Sequence, residues 1–530
     1  MTLVYGPVIG QTSPSFFDFA VADPEVRPSN YEYVQIEVEE MLGERRERVT
    51  VLGQVKAIYS SHPFYDARTS PEAMWKQRQL GVAEDLLQTI AKAKILGYIH
   101  RSEDGGREIR RPRTPPLPGT PVYRASDELI MEFFRLPERD LPLVVGHLLH
   151  RPGVKIPISG RELHRHTAIL AMTRYGKSYF AGKVMEELLK RGATILTIDV
   201  HGDYVNMVNR PDGVAHDFFR DKVTVYRPEG AEALALPHVK PLRLAVASCG
   251  FTELCSLARI QGDLQMIVLR NVLRELREER GGNYGLEDVI ERLEERMEGE
   301  ERAAERVRFF NVIRRLEDLR TRRIFSDYET PVREFFRPMH LSDIFLSGIP
   351  SGVQDVLVGL ILRKVFDAKF RKEPWARLPL FIFVEEAHRF AAPPEMGGGR
   401  FSRDILARIA AEGSKFGLFL TIISQRPRRI DPDILSNCSN LAVLRVVNRG
   451  DQAMIQAASE SFSEDLLEDL PALDQGEVVL VGPFVSVPVM IRTMERETQH
   501  GGRTPDIYRL LQEARAEAEE ERERRRSKIY

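Results

Sequence analysis

Apolar and polar residues alternate along this chain with two different periods, and the places where the period changes divide it. Over residues 1–150 apolar positions recur every second residue in short runs such as 31–40 and 49–60, the pattern of half-buried β-strands. Near 71–97, Met74, Leu80, Leu86, Ile90 and Ile95 recur at loosely helical intervals, which predicts one helix there. A loop rich in Pro, Gly and Arg follows at 105–119, so the region reads as a small β-barrel or an open sheet with an inserted helix. From residue 161 onward the apolar runs become continuous, at 167–172, 193–199, 380–385 and 418–424. Parallel strands covered on both faces require such runs, and an α/β core is expected.

Between 254 and 325 helical stripes replace the strands. Leu257, Ile260, Leu264, Ile267 and Val268 open the pattern, Val289, Ile290, Leu293 and Met297 continue it, and Phe309, Ile313, Leu316 and Leu319 close it. Arg and Glu fill the positions between, which predicts a bundle of amphipathic helices inserted into the core. The last strands are expected in 441–447 and 478–492, the second run turning at Gly482 and Pro483. The predicted divisions are an N-terminal barrel (1–155), a first core segment (156–253), the helical insertion (254–330), a second core segment (331–498) and a polar helical tail (499–530). The tail is expected to fray or to dock on a neighbouring subunit.

A chain of 530 residues with 43% hydrophobic content fills several packed domains, which excludes a disordered chain. The net charge of −2 supplies no global positive field, so any affinity for nucleic acid must come from local basic loops, which an oligomer would repeat. Cys249, Cys255 and Cys438 form no CxxC pair and no cluster with histidine, which argues against zinc or a disulfide framework and for a reducing compartment. The start carries no secretory pattern, and no run approaches the ~18 apolar residues of a membrane span. A cytoplasmic protein with no membrane partner is expected.

Chemistry enters at 171–189. An apolar strand runs into Thr173, Arg174, Tyr175, Gly176, Lys177, Ser178 and Tyr179 and then into a helix, the setting a Walker A loop needs. Backbone N–H groups of such a loop surround a β-phosphate, the Lys177 ammonium reaches β and γ oxygens, and the Ser178 hydroxyl binds Mg²⁺. The pattern wants glycine where Ala171 stands and small residues at Arg174 and Tyr175. A second strand ends in adjacent carboxylates: Glu385 is suited to the Mg²⁺ shell and Glu386 to polarising the attacking water. Two other strands end in Asp199, with His201 and Asp203 behind it, and in Ser424–Gln425, followed by Arg426. Asp199 is expected to act behind the metal or the attacking water, and Gln425 to sense the γ-phosphate. ATP and Mg²⁺ are the implied ligands. His201 and His388 are assigned no catalytic role.

Taken together, GKS at 176–178, IDVHGDY at 198–204, VEEAH at 384–388, EGSKFG at 412–417 and SQRP at 424–427 resemble the HerA–FtsK ATPases, and within them the HerA DNA translocases. The segments 6–19 and 144–158 resemble that family's N-terminal barrel, the HAS domain. The resemblance implies a RecA-like P-loop ATPase core carrying a HAS-like barrel and an inserted helical bundle. It also implies a homohexamer that hydrolyses ATP and translocates double-stranded DNA, with a NurA-like nuclease or a defence effector as partner. The family's catalytic lysine falls on Lys177, its acidic pair on Glu385 and Glu386, its second-strand acid on Asp199 and an upstream arginine on Arg165. The arginine that members often present in trans falls on Ser414, which leaves Lys415, Arg408 and Arg426 as candidates. Arg400 and Arg403, after the glycines of 397–399, are candidate DNA contacts in the channel. A conjugation-type ATPase and a nucleotide-switched scaffold are the alternatives. The first would favour a membrane anchor, and the second would keep effector activation after Glu386→Gln.

Overall fold

A computed structural model describes the chain apart from residues 1–2, 24, 43–44, 62–69, 80–87, 102–105, 327, 397–398, 460–461, 503–506 and 528–530. Two compact units emerge: 1–180 with 425–428 and 435–494, and 181–424 with 429–434 and 495–530.

The first unit opens with β1 (Val4–Ile9), β2 (Phe16–Ala20), β3 (Tyr33–Leu42), β4 (Arg45–Ser61), β5 (Gln88–Arg101), β6 (Arg107–Arg110) and β7 (Pro121–Arg124). Their order β2-β1-β7-β3-β4-β5 closes through a β2–β5 pairing into a six-stranded antiparallel barrel, with β6 added on β5. Closure demands bending, and β4 shifts register against β5 at Leu52/Gly53 and Val55/Ala57. Gly97 has φ 145° and lies so close to β6 that a Cβ would meet the Arg110 carbonyl at 2.7 Å. Phe17, Phe19, Val34, Ile36, Val51, Val55, Ala91 and Ala93 fill the interior.

Among the described residues of 71–97, the expected helix is found at Pro71–Gln79. Ile90 and Ile95 lie instead on β5, while Leu80 and Leu86 fall outside the described residues. The inward positions are Thr89, Ala91, Ala93 and Ile95, a period of two in which two of the four are alanine. Alanine's helical propensity hides that period, and burial inside the barrel overrides propensity.

Further along run β8 (Pro142–Leu148), β9 (Arg151–Ser159), β10 (Thr167–Leu170), β11 (Thr194–Asp199), β12 (Val223–Pro228), β13 (Val239–Leu242), β14 (Leu341–Phe345), β15 (Leu380–Val384), β16 (Leu418–Ser424), β17 (Asn440–Val443), β18 (Glu477–Val481) and β19 (Val489–Thr493). In the first unit the order is β10-β17-β18-β19-β8-β9, antiparallel except for β10–β17. The segment 144–158, grouped with the barrel by resemblance, thus forms β8 and β9 of this sheet, where Val154, Ile156 and Ile158 are buried. Arg151 of β9 is itself buried and donates to the Ala125 carbonyl at 2.7 Å, to Asp127 at 2.8 Å and to Glu32 of the barrel domain.

The second unit contains an all-parallel sheet, β13-β12-β14-β11-β15-β16, whose strands other than β13 are almost wholly buried. Parallel direction brings the C-terminal ends of β11, β15 and β16 to one edge, with Ile198 level with Val384 and Val384 with Ile422. The helical insertion is present as Asp263–Arg280, Leu286–Glu298 and Ala303–Thr321, packed through Leu269, Val272, Leu276, Val289, Leu293, Val312 and Leu316. Its first stripe is displaced from the expected one: Leu264 and Ile267 are exposed, and the buried face begins at Leu269.

Behind the helix Lys177–Lys190 lies a buried charge cluster that no periodicity announces. Glu186, wholly buried, accepts from Thr498 N at 2.9 Å, Thr498 Oγ1 at 2.6 Å and Glu497 N at 3.1 Å, and pairs with Arg496 and Lys183 at 3.4 Å each. These bonds strap residues 496–498 onto the helix, and Gly182 leaves room for the Arg496 guanidinium. Replacing Glu186 by alanine takes from the buried Arg496 the carboxylate it pairs with, while Lys183 keeps Glu187 at 3.0 Å, and should cost about 3–5 kcal/mol of stability, measurable by denaturant unfolding. A loss below about 1 kcal/mol would mean that solvent already reaches the cluster.

Candidate active site

In the first unit β10 ends at Leu170 and the helix starts at Lys177, leaving a six-residue loop. Arg174 (φ 68°) and Gly176 (φ 95°) are both left-handed, the kind of backbone conformation with which loops of this type turn N–H groups toward an anion. Ala171 has no positive φ and is fully buried, so the glycine of the usual pattern is not needed there. The conformational burden falls on Arg174, where a side chain costs about 1–2 kcal/mol. The loop is held from both sides: Met172 N donates to the Arg445 carbonyl at 2.9 Å, and Gly476 N donates to the Tyr175 carbonyl at 3.3 Å. The Arg445 guanidinium lies 5.1 Å over the Tyr175 ring. Lys177 and Ser178 are buried at the helix start, with Nζ 3.5 Å from Oγ. Thr173 Oγ1 donates to Gln425 Oε1, so the expected phosphate sensor is bonded to the loop whose ligand it would sense.

In the second unit the acids gather at the C-terminal edge of the sheet. Asp199 is fully buried and spends both oxygens on backbone donors: His201 N at 3.0 Å, Gly202 N at 2.7 Å and Tyr204 N at 2.9 Å. Burial, with Asp203 nearby, raises its pKa to about 6 against the opposing pull of those N–H groups. Its geometry is that of a residue that positions the HGDY turn. Through that turn it presents Tyr204, whose buried hydroxyl donates to Glu385 Oε1. Burial and the Glu385 charge push the Tyr204 phenol well up, so it stays a donor.

Glu386 is buried and left-handed (φ 48°), a strained conformation that aims its carboxylate. His388 Nδ1 lies 3.1 Å from Glu386 Oε2 and 3.3 Å from Ser424 Oγ. Asp343, in the middle of β14, is also fully buried: Thr197 Oγ1 donates to Oδ1, and Oδ2 has no partner among the described residues. Burial and the neighbouring Asp199 drive its pKa well above the carboxylate range, so it is held as the neutral acid. Tyr204, His388 and Asp343 escaped sequence reasoning. Asp343 had a signal, an acid interrupting the apolar strand LSDIF; the other two stood inside quoted motifs without a role.

The remaining candidates are scattered. Arg165 pairs with Glu162 at 2.9 Å and lies at the opposite end of β10 from the phosphate loop. Lys415 is exposed just before β16, at the sheet edge away from the acids, and Arg408 stacks 4.2 Å over the Phe366 ring. Arg426 is exposed after β16. Arg400 is exposed at the start of its helix, but Arg403 is occupied by Asp431 at 2.7 Å and Asp404 at 3.0 Å. Gly397 and Gly398 fall outside the described residues. Each unit offers hard oxygen to a metal: the first a hydroxyl at Ser178, the second a carboxylate at Glu385. Donors of this kind suit Mg²⁺, which takes few protein ligands and leaves the rest to phosphates and water.

A buried strand, a left-handed loop and a Lys-Ser pair opening a helix, on an α/β scaffold, define a P-loop NTPase. The family profile described as helicase HerA, central domain, matches residues 143–365. The chain is 31% identical over 436 residues to a probable helicase of Methanocaldococcus jannaschii, covering 79% of each. It belongs to the HerA helicase family. It is 29% identical over 464 residues to the DNA double-strand break repair helicase HerA of Pyrococcus furiosus (78% of each chain), and 26% over 524 residues to that of Saccharolobus solfataricus (95% of each). Among solved structures it is similar to VirB4 of Thermoanaerobacter pseudethanolicus, at 13% identity and a TM-score of 0.48 over 67% of this chain and 96% of that one. The bacterial conjugative coupling protein TrwB matches at 12% identity and a TM-score of 0.46, over 72% and 95%. Among the described residues no helix is long and apolar enough to cross a membrane.

Arg174→Gly should relieve the left-handed strain and raise nucleotide-free stability by about 1 kcal/mol in denaturant unfolding. An unchanged or lowered stability would mean that Arg174 contacts outweigh the strain.

Proposed function

We propose that this chain hydrolyses ATP with Mg²⁺ and uses the energy to move along double-stranded DNA as a homohexamer, in DNA end processing with a partner nuclease. The observation that carries the reading is a chain that holds both a left-handed phosphate loop and a buried carboxylate pair, Glu385–Glu386. Lys177 neutralises β and γ oxygens, Ser178 and Glu385 hold Mg²⁺ and its water shell, and Glu386 accepts a proton from the attacking water. Asp199 acts through the HGDY turn as a positioning residue. Gln425, bonded to Thr173, gives γ-phosphate loss a route to the segment beginning at Arg426.

Relatives named as DNA double-strand break repair helicases support DNA as the track. Arg408 stacks over Phe366 and Lys415 lies at the sheet edge away from the acids of its own unit, which suits contribution to a neighbouring subunit and favours an oligomer, with Arg165 a further candidate. Arg426 remains a further finger candidate, and Arg400 is the better candidate for a channel phosphate contact, since Arg403 is spent on Asp431.

Steady-state ATP turnover on linear duplex tests the reading. The wild type should be stimulated by duplex, and Glu386→Gln should lose about a hundredfold or more of that turnover while still binding nucleotide. Turnover indifferent to duplex would remove the motor reading. Turnover retained by Glu386→Gln would remove the assignment of the base.

A further inference from the structure

The second unit carries another recognition surface at the opposite edge of its sheet from the acids. A cleft of about 470 Å³ opens where the chain enters β14 and β15. It is lined by Arg333, Phe336, Arg337, Trp375 and Arg377, with Tyr226, Glu334 and Lys240 on one wall. Its floor is rigid. Phe335 and Phe336 are buried, Phe335 packs edge-on against Tyr226 at 5.1 Å, and Trp375 packs edge-on against Phe336 at 5.4 Å. Trp375 nevertheless keeps 39% of its surface exposed.

The charges are unbalanced. Glu334, the one carboxylate in the lining, is already taken by Tyr226 Oη at 2.9 Å and Lys240 Nζ at 3.2 Å. Arg333, Arg337 and Arg377 are exposed, and among the described residues none has a carboxylate within salt-bridge distance. Beside the cleft, burial and then Arg337, Lys240 and Lys222 push the His340 pKa down to about 4.

We propose that this cleft binds single-stranded nucleic acid, with backbone phosphates on Arg333, Arg337 and Arg377 and an unstacked base against the Trp375 indole. Guanidinium groups around an aromatic platform are what a strand with splayed bases requires. Duplex could use the arginines but would leave the indole unused, because its bases stack on one another. A mononucleotide would find neither a concavity of backbone N–H groups nor a carboxylate open to a metal. The inference does not rest on the ATPase reading, since the residues and the sheet edge are different.

Trp75 and Trp375 are the only tryptophans in the sequence, so Trp75→Phe makes indole emission a local probe of the cleft. The full chain in that background is titrated with an oligothymidylate of about ten nucleotides, with the same length of duplex, and with polyglutamate. The expected result is saturable quenching by the single strand, weakened about tenfold by Arg337→Glu or Arg377→Glu. The salt slope should flatten by about 0.7 for each arginine removed. Absent quenching, or quenching indifferent to charge reversal, overturns the proposal. So does equal quenching by duplex or by polyglutamate, which would make the cleft a duplex-backbone or an acidic-peptide surface. Trp375→Ala removes the probe, so its strand binding is read by anisotropy of a dye-labelled oligothymidylate. Binding should fall about tenfold, and undiminished binding overturns the proposal. An unchanged denaturant-unfolding midpoint excludes misfolding whatever the ATP turnover.

Discussion

Taking a carboxylate out of water costs several kcal/mol unless hydrogen-bond donors or a cation replace the lost hydration. The second unit buries Asp199, Asp343, Glu385 and Glu386 on three neighbouring strands or just beyond their ends. Each is accommodated differently. Asp199 receives three backbone N–H groups, Asp343 is kept neutral, Glu385 receives a tyrosine hydroxyl and Glu386 faces a histidine. Parallel strands make the arrangement possible, because their aligned C-terminal ends place the HGDY turn and the EEAH turn side by side.

The phosphate loop of the first unit shows a related economy. Two of its residues are left-handed, and one of them is an arginine rather than a glycine. Strain of this kind persists only where surroundings over-determine the backbone, and here the Arg445 carbonyl and Gly476 grip the loop from β17 and β18 sides of the sheet. The strap at 496–498 performs a similar service in the second unit, fixing the helix that follows the loop through the buried Glu186.

The α/β core was legible because parallel strands covered on both faces must be continuously apolar, and 193–199, 380–385 and 418–424 are. The Walker loop and the paired glutamates were legible because their spacing is local. The helical insertion was found, but its first stripe was misplaced, since Leu264 and Ile267 fit a helical period without being buried. β5 resembles a helix in sequence because two of its four alternating inward residues, Ala91 and Ala93, are alanine. What stayed hidden depends on contacts distant in sequence: Glu186 with Arg496 across 310 positions, Tyr204 with Glu385 across 181, and Thr197 with Asp343 across 146. No pattern along one chain encodes such partners. The swap between Ala171 and Arg174 was hidden for another reason: a motif specifies residue types, while the burden on them is set by φ.

The account stands on the claim that the acidic edge exists to hold a magnesium–nucleotide complex. Calorimetric titration of a non-hydrolysable ATP analogue, with and without Mg²⁺, into the wild type and Glu385→Gln tests it most directly. The account predicts that Mg²⁺ tightens binding to the wild type by about tenfold or more and leaves the variant near its metal-free affinity. An equal effect of Mg²⁺ on both proteins would contradict it.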